Sequence, residues 1–433
     1  MKRVTLSLVL VAIIFGASSC DSKWTLLPKD ESTAVKADVD TINIYLDVSK
    51  SMRGYIDGVS SNADSSQFNL KRVVSTVVTE AERLSSKQTC CYSVLDNKCN
   101  LVDTNNFPER INDNSIFSGN ETQFGEMLTS AIKGTGKNGL SVVVTDGIMS
   151  YPPKQSNLNV VGIENLKVQV KRAAEQARSR GNSILIVKYN TDFKTSYYCN
   201  CDNEKPAFAA KEPIMKKRPY YLFMIGNEDA IYSLYTRMDA ILKGNNGMYY
   251  RRAGKPDEIE FVTCQDENVV GLIRTDKNVL TIDNTAAKEQ SSTKDYFYVG
   301  LKKTAASALF CNRFMDGTTM ISENGLVDAS AIKMIRIDEM KPLTLEEDTV
   351  TAIYKMQLEQ LGTILNSTKL TETIYLQPKQ SIDKNSSLFP DNTSNSKDFE
   401  SKTFAFSFVI EAIDEAYNKN AVGCFVFKFE KEN

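Results

Sequence analysis

The sequence predicts an α/β domain with a doubly wound, mostly parallel sheet, followed by a β-rich second domain of the sandwich type. Between residues 41 and 245, apolar strand-like runs alternate with segments of helical apolar spacing, which is the pattern of a parallel sheet covered by helices. After residue 245, β-prone runs follow one another with turn-rich segments between them. The chain has 433 residues, which is too long for one typical domain.

The first 40 residues lie outside this predicted fold. Lys2 and Arg3 precede an apolar run, and small residues then lead to Cys20, an order that resembles a bacterial lipoprotein signal. We therefore expect residues 1–19 to be a signal peptide, Cys20 to carry the lipid, and residues 20–40 to form a tether. Lipidation would anchor the chain at the bacterial cell envelope without a transmembrane helix. The alternative is an ordinary secretory signal in which Cys20 is incidental.

Within the α/β region, strands and helices are predicted from apolar spacing. The strand-like runs are INIYLDV, CYSVLD, LSVVVTDG, NSILIVKY and YYLFMIG. The helical segments are QFNLKRVVSTVVTEAERL, QFGEMLTSAI, ENLKVQVKRAAEQARSRG and EDAIYSLYTRMDAIL. The run LSVVVTDG is continuously apolar, as expected for a strand covered on both faces. Residues 190–217 interrupt the alternation and are expected to form an insertion, for which a hairpin is slightly favoured over a loop.

Residues 246–433 are predicted to form the β-rich domain. Its strand-like runs are GMYYRRA, EIEFVTC, VVGLIRT, NVLTID, DYFYVGLKK, TETIYLQP, FAFSFVIEAI and GCFVFKFE. One segment, EDTVTAIYKMQLEQLGTI, carries partly helical spacing instead. Polar residues dominate the run SIDKNSSLFPDNTSNSKDFES, which is predicted to be a loop.

Composition excludes several classes of site. The chain contains no histidine, so a Ser-His-Asp triad, a Cys-His dyad and any histidine-based zinc site are ruled out. Its 52 basic and 54 acidic residues give a formal net charge of −2, and no basic stripe suggests nucleic-acid binding. Nine cysteines in an exported chain make disulfides plausible, but their spacing selects no pairing.

Oxygen-bearing side chains mark the ends of two predicted strands. Asp47, Ser49 and Ser51 follow INIYL at alternate positions, and Asp146 follows LSVVVT. The carboxyl ends of parallel strands meet at one rim of a sheet, where ligands bind in such folds. In the stretch ETQFGEML, Thr122 stands three residues before Gly125, where a predicted helical segment starts.

This combination resembles the metal-ion-dependent adhesion site of von Willebrand factor A domains, over roughly residues 41–245. The resemblance implies a Mg²⁺ or Mn²⁺ ion held by Asp47, Ser49, Ser51, Thr122 and Asp146. It also implies that a protein or peptide partner presents an Asp or Glu carboxylate to complete the coordination. The chemistry is consistent, because Mg²⁺ prefers hard oxygen ligands, whereas zinc and copper prefer nitrogen or sulfur.

Three further residues are candidates for contacting that partner. Arg53 and Tyr55 follow the first motif, and Tyr151 follows the second, so all three are expected near the same rim. Loops at such rims serve both binding and packing, and the sequence does not choose between these roles.

Other interpretations remain open for the motif residues. Ser49 and Ser51 could cap a helix, and Asp146 with Gly147 could form an ordinary turn. The motif could also persist in a structural or assembly lipoprotein whose site is vestigial.

A metal-dependent phosphohydrolase is a further alternative, because LDVSKS superficially resembles the first motif of haloacid-dehalogenase-like phosphotransferases. That chemistry needs a second carboxylate where this chain has Ser49. We therefore predict a metal-dependent binding or adhesion module and not an enzyme.

Overall fold

The structure is a computed structural model. The residues it describes are 22–26, 39–57, 68–95, 98–111, 113–119, 123–148, 159–195, 198–199, 208–209, 214–254, 257–258, 261–264, 272–276, 279–282, 296–302, 318–334, 345–358, 369–378, 403, 405–417 and 423–431. Among these residues, no helix has the length and apolar character needed to cross a membrane.

The strands divide the described chain into an α/β region and a β-rich region. The first ten strands are β1 Ser22–Leu26, β2 Val39–Asp47, β3 Ser85–Leu95, β4 Lys98–Val102, β5 Gly139–Thr145, β6 Ser183–Thr195, β7 Tyr198–Cys199, β8 Phe208–Ala209, β9 Ile214–Gly226 and β10 Gly247–Arg251. The remaining strands are β11 Asp257–Glu258, β12 Phe261–Cys264, β13 Leu272–Asp276, β14 Val279–Ile282, β15 Tyr296–Lys302, β16 Thr318–Ser322, β17 Val327–Met334, β18 Leu345–Leu358, β19 Lys369–Pro378 and β20 Gly423–Lys431.

The α-helices belong almost entirely to the α/β region. They are α1 Gly54–Asp57, α2 Leu70–Leu84, α3 Phe107–Arg110, α4 Phe124–Gly134, α5 Asn159–Ser179, α6 Glu228–Leu242 and α7 Phe406–Ala416. Side-chain caps fix the start of α2 and α6, because Asn69 accepts from the Lys71 amide at 2.8 Å and Asn227 from the Ala230 amide at 2.7 Å.

A seven-stranded sheet in the order β10-β6-β9-β5-β2-β3-β4 forms the centre of the α/β region. Strands β2, β3 and β5 are mutually parallel, and β6 runs in the same direction. Every residue of β5 is buried, as expected for a strand with helices on both faces. Helices α2 and α6 pack together, and α5 packs against α4 and α7. The α/β class predicted from the sequence is therefore present.

The prediction of a mostly parallel sheet is only partly correct. The run YYLFMIG lies in β9, which is antiparallel to both of its neighbours, β5 and β6. Strands β6 and β9 extend through residues 190–195 and 214–217 as one long hairpin, with β7 and β8 paired beyond it. A hairpin connection places its second strand antiparallel beside the first, so the strand after the insertion could not continue the parallel pattern.

Two predominantly antiparallel sheets form the β-rich region. One has five strands in the path β1-β18-β15-β12 with β17 beside β18, and the other has six in the path β13-β14-β20-β19-β16 with β11 beside β20. Residues 347–358 of the segment with partly helical spacing are in strand β18, and its residues 359–364 lie outside the described residues. Residues 22–26 were predicted to be tether, yet they form β1 and pair in parallel with β18. All described residues of the expected tether, 22–26 and 39–40, therefore lie in strands.

The segment FAFSFVIEAI was predicted to be a strand and is instead largely helix α7. Its buried residues Phe406, Val409, Ile410 and Ile413 follow helical spacing. Although α7 lies late in the chain, it packs on α5 of the α/β region. Strand β10 also joins the central sheet, by pairing with β6. The chain after residue 245 thus contributes two elements to the α/β region.

A buried ionic cluster holds α7 against β10. The Asp414 carboxylate accepts from Arg251 Nε at 2.6 Å and from the Tyr249 hydroxyl, and all three side chains are buried. At the surface, Lys167 Nζ lies 3.2 Å from a Glu411 carboxylate oxygen. Buried pairs are costly to break, because the remaining charge loses its compensation, whereas exposed pairs contribute little.

We expect Asp414→Ala to lower the free energy of unfolding by about 3–5 kcal/mol, because it removes the carboxylate that faces the buried Arg251 guanidinium. The control Glu411→Ala, on the same helix, should cost less than about 1 kcal/mol. Urea titration followed by circular dichroism measures both values. Equal small losses would contradict the structural role assigned to Asp414.

Candidate metal centre

Asp47 is buried at the end of β2, and hydrogen bonds hold both of its carboxylate oxygens. Oδ1 accepts from the Ser49 amide at 2.9 Å, and Oδ2 accepts from the Thr145 hydroxyl at 2.9 Å. Because β2 and β5 are parallel neighbours, the ends of both strands lie side by side. Thr145 therefore links the two motifs directly.

Ser49 and Ser51 present a pair of hydroxyls beside Asp47. Their Oγ atoms lie 3.0 Å apart, with Ser49 buried and Ser51 half-buried. Gly119 closes the other side: the Lys50 amide donates to its carbonyl at 2.9 Å, and its own amide donates to the Val48 carbonyl at 3.2 Å. The backbone that leads toward the predicted threonine segment is thus attached to the Asp47–Ser51 loop.

Asp146 follows β5, and one of its two carboxylate oxygens has no hydrogen-bond partner among the described residues. Its Oδ1 accepts from the Ile148 amide at 3.0 Å. Its Oδ2 has no hydrogen-bond partner within the described chain. Because the residue is only 1 % exposed, bulk water does not supply one either. A buried carboxylate oxygen without a partner is energetically costly, which indicates that a further cation or donor belongs at this position.

The electrostatics of Asp146 follow from this burial. Desolvation, with the nearby Asp47 charge adding to it, raises the pKa of Asp146 to about 7. The Ser51 hydroxyl, the Ile148 amide and the Arg218 charge act in the opposite direction. Two buried carboxylates on adjacent strands therefore repel each other, and an added cation would relieve that repulsion.

Arg218 was not recognised in the sequence. It lies in the amino-terminal half of β9, is completely buried, and exerts its charge on Asp146. In the sequence it ends the basic run Lys216-Lys217-Arg218, which is typical of solvent-exposed charge. Only the antiparallel placement of β9 beside β5 brings it to the rim.

A second contact missed in the sequence comes from the start of α7. The Phe406 ring stacks on Tyr221 at a centroid distance of 3.9 Å, and the Tyr221 hydroxyl lies 3.0 Å from the Thr403 hydroxyl. Gly147, directly after Asp146, has φ +69°, and a Cβ there would lie 2.8 Å from the Phe406 ring. The turn that carries Asp146 is therefore packed tightly against α7.

The structure brings together Asp47, Ser49, Ser51 and Asp146. Thr122, Tyr151 and Cys20 lie outside the described residues.

The two described candidates for partner contact differ in exposure. Arg53 is exposed in a short 3₁₀ turn. Tyr55 is only 1 % exposed, and its hydroxyl donates to the Pro219 carbonyl at 2.7 Å. The prediction that Tyr55 contacts a partner is wrong, because the ring packs inside the fold against Phe193 and Tyr220.

Comparisons with protein-family models, curated proteins and solved structures found no match for this chain.

Gly147 allows a test of the packing around the site. Gly147→Ala should cost about 1–2 kcal/mol for the left-handed backbone and about 1–3 kcal/mol more for the contact with Phe406. Gly181→Ala is the matched control, because Gly181 has φ +77° with nothing within 4 Å of an added Cβ. In urea unfolding, Gly181→Ala should lower the free energy of unfolding only by the backbone cost of about 1–2 kcal/mol. Equal losses for both variants would contradict the tight packing of Gly147.

The raised pKa of Asp146 predicts a pH dependence of stability in the metal-free protein. The unfolded chain loses this proton near pH 3.8, whereas the folded chain keeps it until about pH 7. The contribution of the Asp146 proton to folding stability is complete below about pH 3.8 and is lost as the pH rises to about 7. Asp146→Asn should therefore become progressively more stable than the wild type between these limits.

Urea unfolding in EDTA across the same pH range measures this difference. Glu126→Gln, which removes an exposed carboxylate from α4, serves as the control and should show no such trend. Parallel profiles for the wild type and Asp146→Asn would contradict the assigned environment.

Proposed function

We propose that this chain is a lipid-anchored, metal-dependent binding or adhesion module of the bacterial cell envelope, built on a von Willebrand factor A-like domain. A divalent cation, Mg²⁺ or Mn²⁺, would be held by Asp47, Ser49, Ser51, Thr122 and Asp146. When bound, the cation would accept a carboxylate from an Asp or Glu of a protein or peptide partner. Cys20 would supply the membrane anchor, and the β-rich region of the sandwich type would orient the α/β region.

The observation that carries this proposal is the buried Oδ2 of Asp146, which has no hydrogen-bond partner among the described residues. It belongs to the same rim as the paired hydroxyls of Ser49 and Ser51. A site with two carboxylates and neutral hydroxyls suits a hard cation that retains open coordination positions. The residues present therefore fit the ion that the family resemblance implies.

Each protein group has a distinct part in this arrangement. Thr145 and the Ser49 amide orient the Asp47 carboxylate by hydrogen bonds of 2.9 Å each. The Ile148 amide holds one oxygen of Asp146 and leaves the other available. Because both carboxylates are held before any ion arrives, little reorganisation is needed for binding.

Binding is favoured over catalysis by the chemistry of the same residues. The chain lacks histidine, and the position two residues after Asp47 is Ser49, which cannot replace a carboxylate as a general acid. A phosphohydrolase of the haloacid-dehalogenase type would need a carboxylate as proton donor at that position.

One observation favours a second candidate, a structural or assembly lipoprotein with a vestigial site. Arg218 is buried and its charge acts on Asp146, so an internal cation already offsets part of the carboxylate charge. In that case the rim would be a structural ion-pair network, and metal would not change partner binding.

Calorimetric titration of Mg²⁺ and Mn²⁺ into the chain from residue 21 tests the proposal. We expect saturable one-to-one binding, which Ser51→Ala weakens by about tenfold or more and Asp146→Asn abolishes. Ser118→Ala, which removes an exposed hydroxyl beside Gly119, is the matched control and should bind as the wild type does.

The titration is repeated in acetate, which supplies the carboxylate that the open coordination position requires. Absence of binding in both buffers, by a chain whose circular dichroism shows it folded, would overturn the metal-centre proposal.

A further inference from the structure

Arg218 occupies a defined place at the rim of the central sheet. Strand β9 is antiparallel to β5, and their last paired residues at this end are Tyr221 and Thr145. Arg218 precedes Tyr221 by three positions, so it lies past the carboxyl end of β5, on the side where Asp146 follows the strand. Its side chain is completely buried. An arginine is almost never fully buried without compensating negative charge.

Packing fixes the guanidinium on the side of the Asp47–Ser51 loop. The Arg218 guanidinium carbon lies 5.3 Å from the centre of the Phe193 ring. That ring packs so closely on Gly54, three residues after Ser51, that a Cβ at Gly54 would overlap it. The Tyr55 hydroxyl also donates to the carbonyl of Pro219, next to Arg218, at 2.7 Å. The loop with the candidate ligands and the strand with Arg218 are therefore held together as one unit.

The charges at this rim can be counted. Asp47 and Asp146 are both buried, and Arg218 adds one positive charge that acts on Asp146. With both carboxylates ionised, the three side chains carry one net negative charge instead of two. A divalent cation added to them would leave a centre with one net positive charge, which is unfavourable at low dielectric unless an anion accompanies the ion.

We propose that Arg218 sets the charge of the candidate metal centre, so that the cation is held weakly alone and tightly only together with a carboxylate ligand. The inference rests on the proposed metal site and adds to it the residue that makes tight metal binding depend on the carboxylate ligand. Arg218 is buried and would not contact the partner carboxylate. Its role would be to set the charge around the cation. Metal and carboxylate then bind cooperatively, because each improves the affinity for the other by the same factor.

The first measurement is the affinity of Mn²⁺ alone for Arg218→Gln and Arg218→Met, by calorimetry in chloride buffer. Removing the positive charge should tighten Mn²⁺ binding by at least about tenfold. Arg218→Met keeps an apolar stem over the Phe193 ring. Lys217→Gln is the matched control, because it removes the same charge from the neighbouring exposed residue and should leave the affinity unchanged.

The second measurement uses the wild type, so it does not depend on whether a variant folds. Mn²⁺ should bind about fivefold or more tightly in sodium acetate than in sodium chloride of equal ionic strength, after correction for acetate bound to free Mn²⁺. In Arg218→Gln this acetate effect should largely disappear. A purely structural role for Arg218 would change stability without changing the acetate dependence.

The possible results distinguish this inference from the metal-site proposal on which it rests. Tighter binding in the two neutral variants but not in Lys217→Gln supports the inference, as does binding that appears only when Arg218 is replaced. Wild-type binding that the neutral variants leave unchanged or weaken overturns it, while the metal site stands. If neither neutral variant folds, the absence of an acetate effect on Mn²⁺ binding by the wild type still overturns the inference. No Mn²⁺ binding by any folded variant in either buffer overturns the metal site itself.

Discussion

The repulsion between two buried carboxylates is the constraint on which the rest of the candidate site depends. Asp47 and Asp146 follow adjacent parallel strands, and neither side chain is accessible to bulk water. Hydrogen bonds from Thr145, the Ser49 amide and the Ile148 amide satisfy three of the four carboxylate oxygens. Burial, with the Asp47 charge adding to it, raises the pKa of Asp146, and the fourth oxygen, its unpartnered Oδ2, leads to the expectation of a cation.

Distant parts of the chain support this small group of atoms. Strand β9 brings Arg218 to the rim, and α7 places Phe406 on Tyr221 and against the Gly147 turn. The Asp414 cluster in turn holds α7 on β10. The geometry of Asp146 therefore depends on segments separated by more than 200 residues, which explains why the α/β region includes chain from both sides of residue 245. Local sequence alone does not specify such a site.

Sequence reasoning succeeded where short-range rules apply. Apolar runs located β2 and β5, and the rule that parallel strands end at one rim placed Asp47, Ser49, Ser51 and Asp146 together. It failed where tertiary contacts override local pattern. The aromatic and branched residues of FAFSFVIEAI suggested a strand, but their buried positions follow a helical face on α5. Tyr55 was expected in a binding loop because sequence does not reveal that Phe193 and Tyr220 enclose it.

Arg218 shows that local sequence also fails to predict which charged residue is buried. A basic run next to a strand is normally solvated, and nothing local distinguishes buried Arg218 from its exposed neighbour Lys217. Whether the rim is a metal centre or an internal ion-pair network depends on what stands opposite Oδ2 of Asp146.

The most direct measurement is an anomalous difference map from crystals of the chain grown with Mn²⁺ and a carboxylate. The account predicts one strong peak within coordination distance of the Ser49 and Ser51 hydroxyls, beside the Asp146 carboxylate. A map without a peak there, with the Arg218 guanidinium bonded directly to Oδ2 of Asp146, would contradict it.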